Sequence, residues 1–372
     1  MDRETEVLRR PKVVLRRREK ESCSKEQLRL DFGDYKIDVV ERGQSVIGLQ
    51  GSISLLRTPI MGDTVSTLLF QPPAPSKLKE HKIVWLNTSR GSQIPAFFIS
   101  YKTQRGAESC RSLSADELRD SQPENGITLL YSHANAEDLG SIYPWCKFLS
   151  KMLQVNIFAY DYTGYGMSHN QGPPSEKHCY ADIESAYAFL RKDLRIPAQN
   201  IVLYGRSLGS GPSCHLAAQT ALLHKENAEY GAHDGPVGGL ILHAPFLSVF
   251  RVVADTGCTV YGDKFPNIDV LPMVKTPTIL VHGTSDQIVP FHHSERLYDA
   301  IPLIYRAKPL YIEGMSHNNV HAQVRSMFVE RLSEYLDDLV RPHVMAERCP
   351  LARLSISQNH ILKVVNKSED DT

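Results

Sequence analysis

The sequence predicts an α/β fold, a mostly parallel central sheet with helices on both faces. Three observations lead there. Short apolar runs of strand length alternate with longer segments of helical periodicity, the order that wraps helices over one sheet. Candidate reactive side chains stand at or just past the ends of three of these runs, where an open parallel sheet gathers its ligands. A chain of 372 residues at 42% hydrophobic content can bury one large core, so a single domain with tails is expected rather than two domains.

Taken in order, segments 82–88 and 95–101 read as strands of an antiparallel start. Residues 127–132 form the next strand and lead into a helix over 136–152, after which 156–161 returns as a strand. Tyr180, Ile183, Tyr187, Phe189 and Leu190 recur at helical spacing within 178–193. The run 201–204 is a strand that turns into a helix near Gly211. Strands at 239–242, 278–283 and 309–312 follow, with a helix starting near Phe291 and a closing helix around 320–339. The stretch 245–272, with Phe246, Val249, Phe250, Val252, Val253, Tyr261 and Phe265, lies where a cap over the sheet is expected. Its apolar side chains suit acyl-chain binding or ordinary packing. There are no internal repeats.

The most informative pattern is Gly205-Arg206-Ser207-Leu208-Gly209, between that strand and its helix. A strand ending in G-x-S-x-G and turning at once into a helix places the serine on a strained elbow with its hydroxyl exposed. The glycines are needed because side chains there would collide with the elbow and its neighbouring strands. Alone, the pattern fits a glycine-rich turn as well. A serine nucleophile also needs a base, and the base an acid to hold its tautomer. Asp286 follows the 278–283 strand and His317 follows the 309–312 strand, in the order Ser, Asp, His that such an elbow requires. Ser207 is therefore read as nucleophile, His317 as general base and acid, and Asp286 as its orienter. Asp286 could instead cap the helix near Phe291, and His321 is a rival to His317. His282, His292 and His293 read as scaffold. Acyl transfer further needs donors for an oxyanion. The backbone N–H of Leu208 is one, and the N–H of Asn135, or failing that Ala134, in the turn His133-Ala134-Asn135-Ala136 is the other.

Composition excludes several classes. Lys plus Arg equals Asp plus Glu at 42 each, so no global field points to nucleic acid. Cys23, Cys110, Cys146, Cys179, Cys214, Cys258 and Cys349 form no C-x-x-C pair, which argues for reduced thiols in a cytosolic setting and against a metal site. No cofactor is expected. No apolar run reaches membrane-span length, and the N-terminus lacks a signal-peptide segment, so a cytoplasmic protein, either soluble or peripheral at the cytosolic face of a membrane, is expected.

Beyond this chemistry, Ser132-His133-Ala134-Asn135-Ala136-Glu137-Asp138-Leu139-Gly140 resembles the S-H-G-N-A-x-D-L-G of the α/β-hydrolase domain-containing protein 17 family. Phe158-Ala159-Tyr160-Asp161-Tyr162-Thr163-Gly164-Tyr165-Gly166 is similar to its Y-D-Y-S-G-Y-G. Phe70-Gln71-Pro72-Pro73-Ala74-Pro75, Pro174-Ser175-Glu176, Tyr180-Ala181-Asp182-Ile183, Phe265-Pro266-Asn267-Ile268, His282-Gly283-Thr284-Ser285-Asp286 and Gly314-Met315-Ser316-His317-Asn318 extend the likeness over roughly residues 68–340. The resemblance implies an α/β-hydrolase fold and a serine hydrolase that removes palmitoyl groups from cysteines of membrane-bound proteins, with Ser207, Asp286 and His317 on the family's triad. S-acylated proteins would be its substrates. An esterase for lysophospholipids or monoacylglycerols uses the same triad, and a catalytically silent binder of lipidated proteins is the reading outside enzymes.

The chain departs from the family in three ways. Ala134 replaces a glycine, so the turn must tolerate a Cβ. Polar inserts stand near 103–125 and 224–236. The family's N-terminal cysteine cluster, its site of lipid attachment, has no counterpart. Residues 1–60 read instead as a basic, disordered extension before a hydrolase domain at 61–341 and a tail at 342–372. Arg9, Arg10, Lys12, Arg16, Arg17, Arg18 and Lys20, interleaved with apolar residues, could lie on an anionic membrane surface, although Asp2, Glu4, Glu6, Glu19 and Glu21 dilute the charge. Cys23 could carry one acyl chain, a weak anchor by itself. If this head delivers the protein to membranes, deleting residues 1–25 leaves hydrolysis of a small soluble thioester unchanged but lowers sedimentation with anionic vesicles, most at low salt. Equal sedimentation of full-length and truncated protein would return the head to a solvated tail.

Overall fold

The computed structural model describes residues 14–15, 27–31, 36–40, 69–76, 78, 83–101, 126–227, 235–253, 257–259, 262–318 and 322–342. The basic head apart from Val14 and Leu15, Cys23, the 103–125 insert, most of the 224–236 insert, His321 and all but the first residue of the 342–372 tail lie outside them. The chain divides into two units, Met1–Met61 and Gly62–Thr372. In the first, strands β1 (Val14–Leu15), β2 (Gln27–Asp31) and β3 (Lys36–Val40) pair antiparallel in that order. Polar–apolar alternation in Gln27-Leu28-Arg29-Leu30-Asp31 is the local sequence signal for β2.

The second unit is built on an eight-stranded sheet. Its strands are β4 (Val84–Asn87), β5 (Gln93–Ile99), β6 (Thr128–Ser132), β7 (Asn156–Tyr160), β8 (Ile201–Arg206), β9 (Gly239–His243), β10 (Thr278–Gly283) and β11 (Leu310–Ile312). Their order across the sheet is β11-β10-β9-β8-β6-β7-β5-β4. The six from β11 to β7 run parallel, and β5 and β4 add antiparallel at one edge. This is the α/β-hydrolase architecture the sequence predicts. The α-helices that accompany it, in chain order among the described residues, are α1 (Leu139–Leu153), α2 (Glu176–Ala188), α3 (Ser210–Asn227), α4 (Val249–Val253), α5 (Asn267–Val270), α6 (His292–Ala300) and α7 (Ala322–Tyr335).

The central strands β6 to β10 are buried along their whole length, which is why they read as continuous apolar runs rather than alternating ones. Successive residues still divide between two cores. Leu129, Tyr131, Val202, Tyr204, Ile241 and Ile279 pack with Ile142, Cys146 and Leu149 of α1 and Phe328, Leu332 and Tyr335 of α7. Leu130, Leu203, Leu240, Leu242 and Leu280 pack on the other face with Cys179, Ile183 and Ala186 of α2 and Cys214, Ala217 and Ala218 of α3. Phe246 and Phe265 from the expected cap segment are buried in this second core, so these two serve packing. Among the described residues no helix is long and apolar enough to cross a membrane.

β6 lies between β7 and β8, so the chain leaves β6 for one side and later returns on the other. Such a switch opens a crevice at the carboxyl ends of the strands. A Cβ at Gly209 would overlap the carbonyl oxygen of Ser132 at the end of β6, and one at Gly205 would meet the Gly209 carbonyl and Ser213 Oγ. Gly209→Ala therefore forces backbone apart from backbone and is expected to destabilise by about 1–3 kcal/mol or more, read as a lowered urea midpoint. Gly235→Ala, where a Cβ meets open space, is the control and should change stability by less than about 0.5 kcal/mol. Equal midpoints for the two variants would show that the elbow has room to spare.

Candidate active site

The elbow begins as the fully buried β8 ends. Ser207 takes φ +49°, a left-handed backbone that is costly for a residue with a Cβ, and a single 3-10 turn, Ser207–Gly209, then feeds α3. Ser210, a neighbouring hydroxyl, is wholly buried and committed: its Oγ donates to the Ser207 carbonyl at 2.7 Å and accepts from Asn267 Nδ2 at 3.1 Å. Ser207 is thus the hydroxyl that the turn presents.

The loops after β10 and β11 are knitted together before they meet the serine. Gly314 N–H donates to Thr284 Oγ1 at 3.0 Å and Ser285 N–H to the Met315 carbonyl at 3.1 Å. A Cβ at Gly283 would overlap that same carbonyl, so β10 ends in glycine where the loops touch. The result aligns three side chains. His317 Nδ1 lies 2.6 Å from Asp286 Oδ2, and His317 Nε2 lies 3.1 Å from Ser207 Oγ. With the carboxylate as acceptor, Nδ1 carries the proton and Nε2 is left with its lone pair toward the hydroxyl. The three residues singled out in the sequence are brought together.

Asp286 is held from the other side. Its Oδ1 accepts from Ile288 N–H and Val289 N–H, each at 2.9 Å. It does not cap α6, whose preceding residue Phe291 makes no side-chain cap bond. His282 Nε2 lies 3.2 Å from Asp286 Oδ2 and 3.0 Å from the Val289 carbonyl, both acceptors, so that nitrogen carries the proton while Nδ1 accepts from Ser294 Oγ at 2.5 Å. His282 is scaffold, and specifically the scaffold of the acid. Burial by itself would raise the Asp286 carboxyl, but the hydrogen bonds from His282 and His317, the charge of His317 and the Val289 N–H together hold it well below the usual carboxylate range.

The turn after β6 holds the candidate for the second amide. Ala134 N–H is already bonded to Glu137 Oε2 at 2.9 Å, which removes it as a free donor and makes the Asn135 N–H the candidate of this turn, beside that of Leu208. Ala134 is not among the residues of positive φ, so this turn accommodates a Cβ where the family carries glycine. The Asn135 side chain has a separate task that the sequence did not announce. Its Nδ2 donates to the Leu69 carbonyl at 2.7 Å, and its Oδ1 accepts from Gln71 N–H at 3.0 Å and from Tyr165 Oη at 2.5 Å. It thereby straps segment 69–71 across the turn, with Phe70 buried in the core. Asp138 closes the turn by capping α1 through a capping box with Ser141 and by accepting from Ser76 N–H at 2.6 Å. Below lies a buried pair. His133 Nδ1 donates to the Ala134 carbonyl at 2.8 Å while Nε2 faces Asp161 Oδ1 at 3.4 Å. Burial opposes a charge on His133, but the facing carboxylate outweighs it and raises the imidazole above its ordinary value.

Sequence reasoning also passed over Glu137 and Arg206, which pair across the turn and the elbow. The available signal was positional: an arginine at the variable site of G-x-S-x-G, immediately before the serine. Among the described residues no group of three or more His, Cys, Asp or Glu side chains could hold a metal ion.

Comparison with known proteins agrees with this fold. The α/β-hydrolase domain-containing protein aho-3 of Caenorhabditis elegans is 33% identical over 290 residues, 75% of this chain and 79% of that protein. The human α/β-hydrolase domain-containing protein 17B is 33% identical over 292 residues, 75% of this chain and 92% of that protein. The chain belongs to the α/β-hydrolase domain-containing protein 17 family. The 17C protein of Xenopus laevis is 37% identical over 215 residues, which span 58% of this chain and 62% of the relative. No protein-family model matches the chain. Among solved structures, an esterase from Pyrococcus furiosus (12% identical, TM-score 0.52, covering 73% of this chain and 99% of its own) and an α/β hydrolase from Vibrio vulnificus (16% identical, TM-score 0.52, covering 75% and 94%) share its fold. It is an α/β hydrolase by family and by architecture.

The depressed Asp286 carboxyl gives this family member a pH signature. Because its folded pKa lies below the unfolded value of about 3.9, the ionised group contributes stability that is fully present above that value and lost as pH falls through the folded one. Asp286→Asn should therefore be less stable than the parent near neutral pH, with the gap in urea midpoint shrinking below about pH 4. A gap that stays constant with pH would show that the carboxylate is not held by these bonds.

Proposed function

We propose that the protein is a serine hydrolase that cleaves acyl thioesters, S-palmitoyl groups above all, from membrane-associated proteins. The observation that carries the hydrolase reading is the continuous relay from Asp286 through His317 to Ser207 at the carboxyl edge of the sheet. Thioester preference and the membrane setting rest on the family resemblance.

In this reading His317 Nε2 takes the Ser207 proton as Oγ attacks the acyl carbonyl carbon. The tetrahedral oxyanion is received by the Leu208 and Asn135 N–H groups. Collapse breaks the carbon–sulfur bond, and the His317 proton passes to the leaving cysteine thiolate. Water, deprotonated by the same nitrogen, then attacks the acyl-serine, releasing the fatty acid and restoring the Ser207 hydroxyl. Asp286 keeps Nδ1 protonated and stabilises the imidazolium formed in both halves. No cofactor enters the cycle.

Reaction with a fluorophosphonate probe, followed by turnover on a matched palmitoyl thioester and oxyester, tests the proposal. Ser207→Ala should lose labelling and nearly all turnover while remaining folded, and adding His317→Ala should cost little more, because the relay acts as a unit. Turnover of the oxyester well above the thioester would move the protein to the lysophospholipase or monoacylglycerol reading. A parent protein that neither labels nor turns over either substrate would leave a binder of lipidated proteins.

A further inference from the structure

The three parts of the site come from separate loops: the turn after β6, the elbow after β8 and the histidine loop after β11. One ion pair touches all three. Glu137 Oε2 accepts the Ala134 N–H at 2.9 Å, and Glu137 Oε1 pairs with Arg206 Nη1. Arg206 directly precedes Ser207, and its Nη2 donates to the His317 carbonyl at 3.1 Å and to Asn318 Oδ1 at 2.9 Å. The pair is largely shielded from water, with side-chain exposures of 11% for Arg206 and 23% for Glu137. On the neighbouring strands β6 and β8 the rings of Tyr131 and Tyr204 stack with centroids 4.6 Å apart. Burial would lower the Arg206 guanidinium, but the Glu137 charge raises it above its ordinary value, so the guanidinium stays charged.

We infer that Glu137 and Arg206 are a positioning pair that sets the oxyanion turn and the histidine loop in register with the elbow. The inference rests on the proposed hydrolase reading and deepens it. The chemistry of each group fits that task. A carboxylate has two oxygens, one for the Ala134 amide and one for the guanidinium. By occupying the Ala134 amide it also determines which N–H of the turn remains for the oxyanion. A guanidinium is a planar fork, so Nη1 can hold the carboxylate while Nη2 holds the backbone of the general base. A lysine ammonium carries the same charge but lacks the fork.

The pair touches neither the reacting serine hydroxyl nor the imidazole ring, so its loss should act on geometry rather than on substrate binding. For hydrolysis of p-nitrophenyl butyrate, Glu137→Ala, Arg206→Ala and Arg206→Lys are each expected to lower kcat about 10–100-fold, the scale of a site misplaced by about 1 Å, with KM within about threefold. The double variant should be no more than about threefold worse than the weaker single one, as for groups that act through one connection. Affinity for a trifluoromethyl ketone, which forms an oxyanion on the serine, should fall in the same proportion as kcat/KM. A merely structural role would lower thermal stability without this parallel. Should either alanine variant fail to fold, Arg206→Lys and Glu137→Asp carry the same test. Parental kcat in Arg206→Lys, additive losses in the double variant, or ketone affinity that stays constant while kcat falls would each overturn the inference. A parent lacking Ser207-dependent turnover overturns the hydrolase reading and this inference with it, whereas Ser207-dependent turnover that is indifferent to all four substitutions overturns this inference alone.

Discussion

A Cβ on Gly209 would overlap the carbonyl oxygen of Ser132, and the rest of the site is arranged around that lack of room. Because Gly209 lies directly on the end of β6, the elbow sits against the strand that leads into the Ala134–Asn135 turn, although Asn135 and Leu208 are 73 positions apart. The closeness has a cost, since Ser207 must adopt a left-handed backbone at about 1–3 kcal/mol. Five fully buried central strands on two packed cores offset it easily. A second backbone contact of the same kind, Gly283 against the Met315 carbonyl, fixes the loops of Asp286 and His317 to each other. Two glycines, one in the elbow and one at the end of β10, thus define the distances over which the side chains act.

Around the site, charge is placed on that frame in facing pairs. The Asp286 carboxylate is satisfied by two backbone amides and two histidines, which leaves it ionised and unable to drift from His317. Arg206 faces Glu137, and His133 faces Asp161. Low dielectric makes these pairs costly if incomplete, but rigid when every atom is bonded. The proposed reaction moves a proton and develops a negative charge within this surround, and fixed dipoles need no reorganisation as it does so.

The sequence was most legible where a local rule has one physical solution. G-x-S-x-G between an apolar run and a helix pointed to an elbow once Asp286 and His317 were each seen to follow a strand. Central strands were plain because burial on both faces makes them apolar throughout, and their boundaries fell within a few residues of those observed. What stayed illegible depends on tertiary neighbours. The link from His282 to Asp286 arises because a strand residue and the turn four residues later fold back on each other. Glu137 and Arg206 are 69 positions apart and look like ordinary surface charges until β6 and β8 are set side by side. The cap segment posed the opposite problem: Phe246 and Phe265 suited a lipid pocket or the core equally well, and only their burial decides for packing.

Asn135 illustrates how two demands can converge on one position. In the proposed reaction only its backbone N–H would meet the oxyanion, and any residue but proline supplies that. The side chain is nevertheless fully engaged, because its amide imitates a peptide unit and holds both faces of segment 69–71, donating to Leu69 and accepting from Gln71. Alanine there would keep the amide and release the strap, together with the Tyr165 hydroxyl that it anchors. A fall in turnover on that change would therefore report the looseness of the wall rather than a lost oxyanion donor. The same distinction applies to Ala134, whose amide is spoken for by Glu137 although it stands next to the reacting centre. In this site the amides that matter are chosen by which of them the surrounding side chains leave unbonded, and that choice is written in residues remote from the serine in sequence.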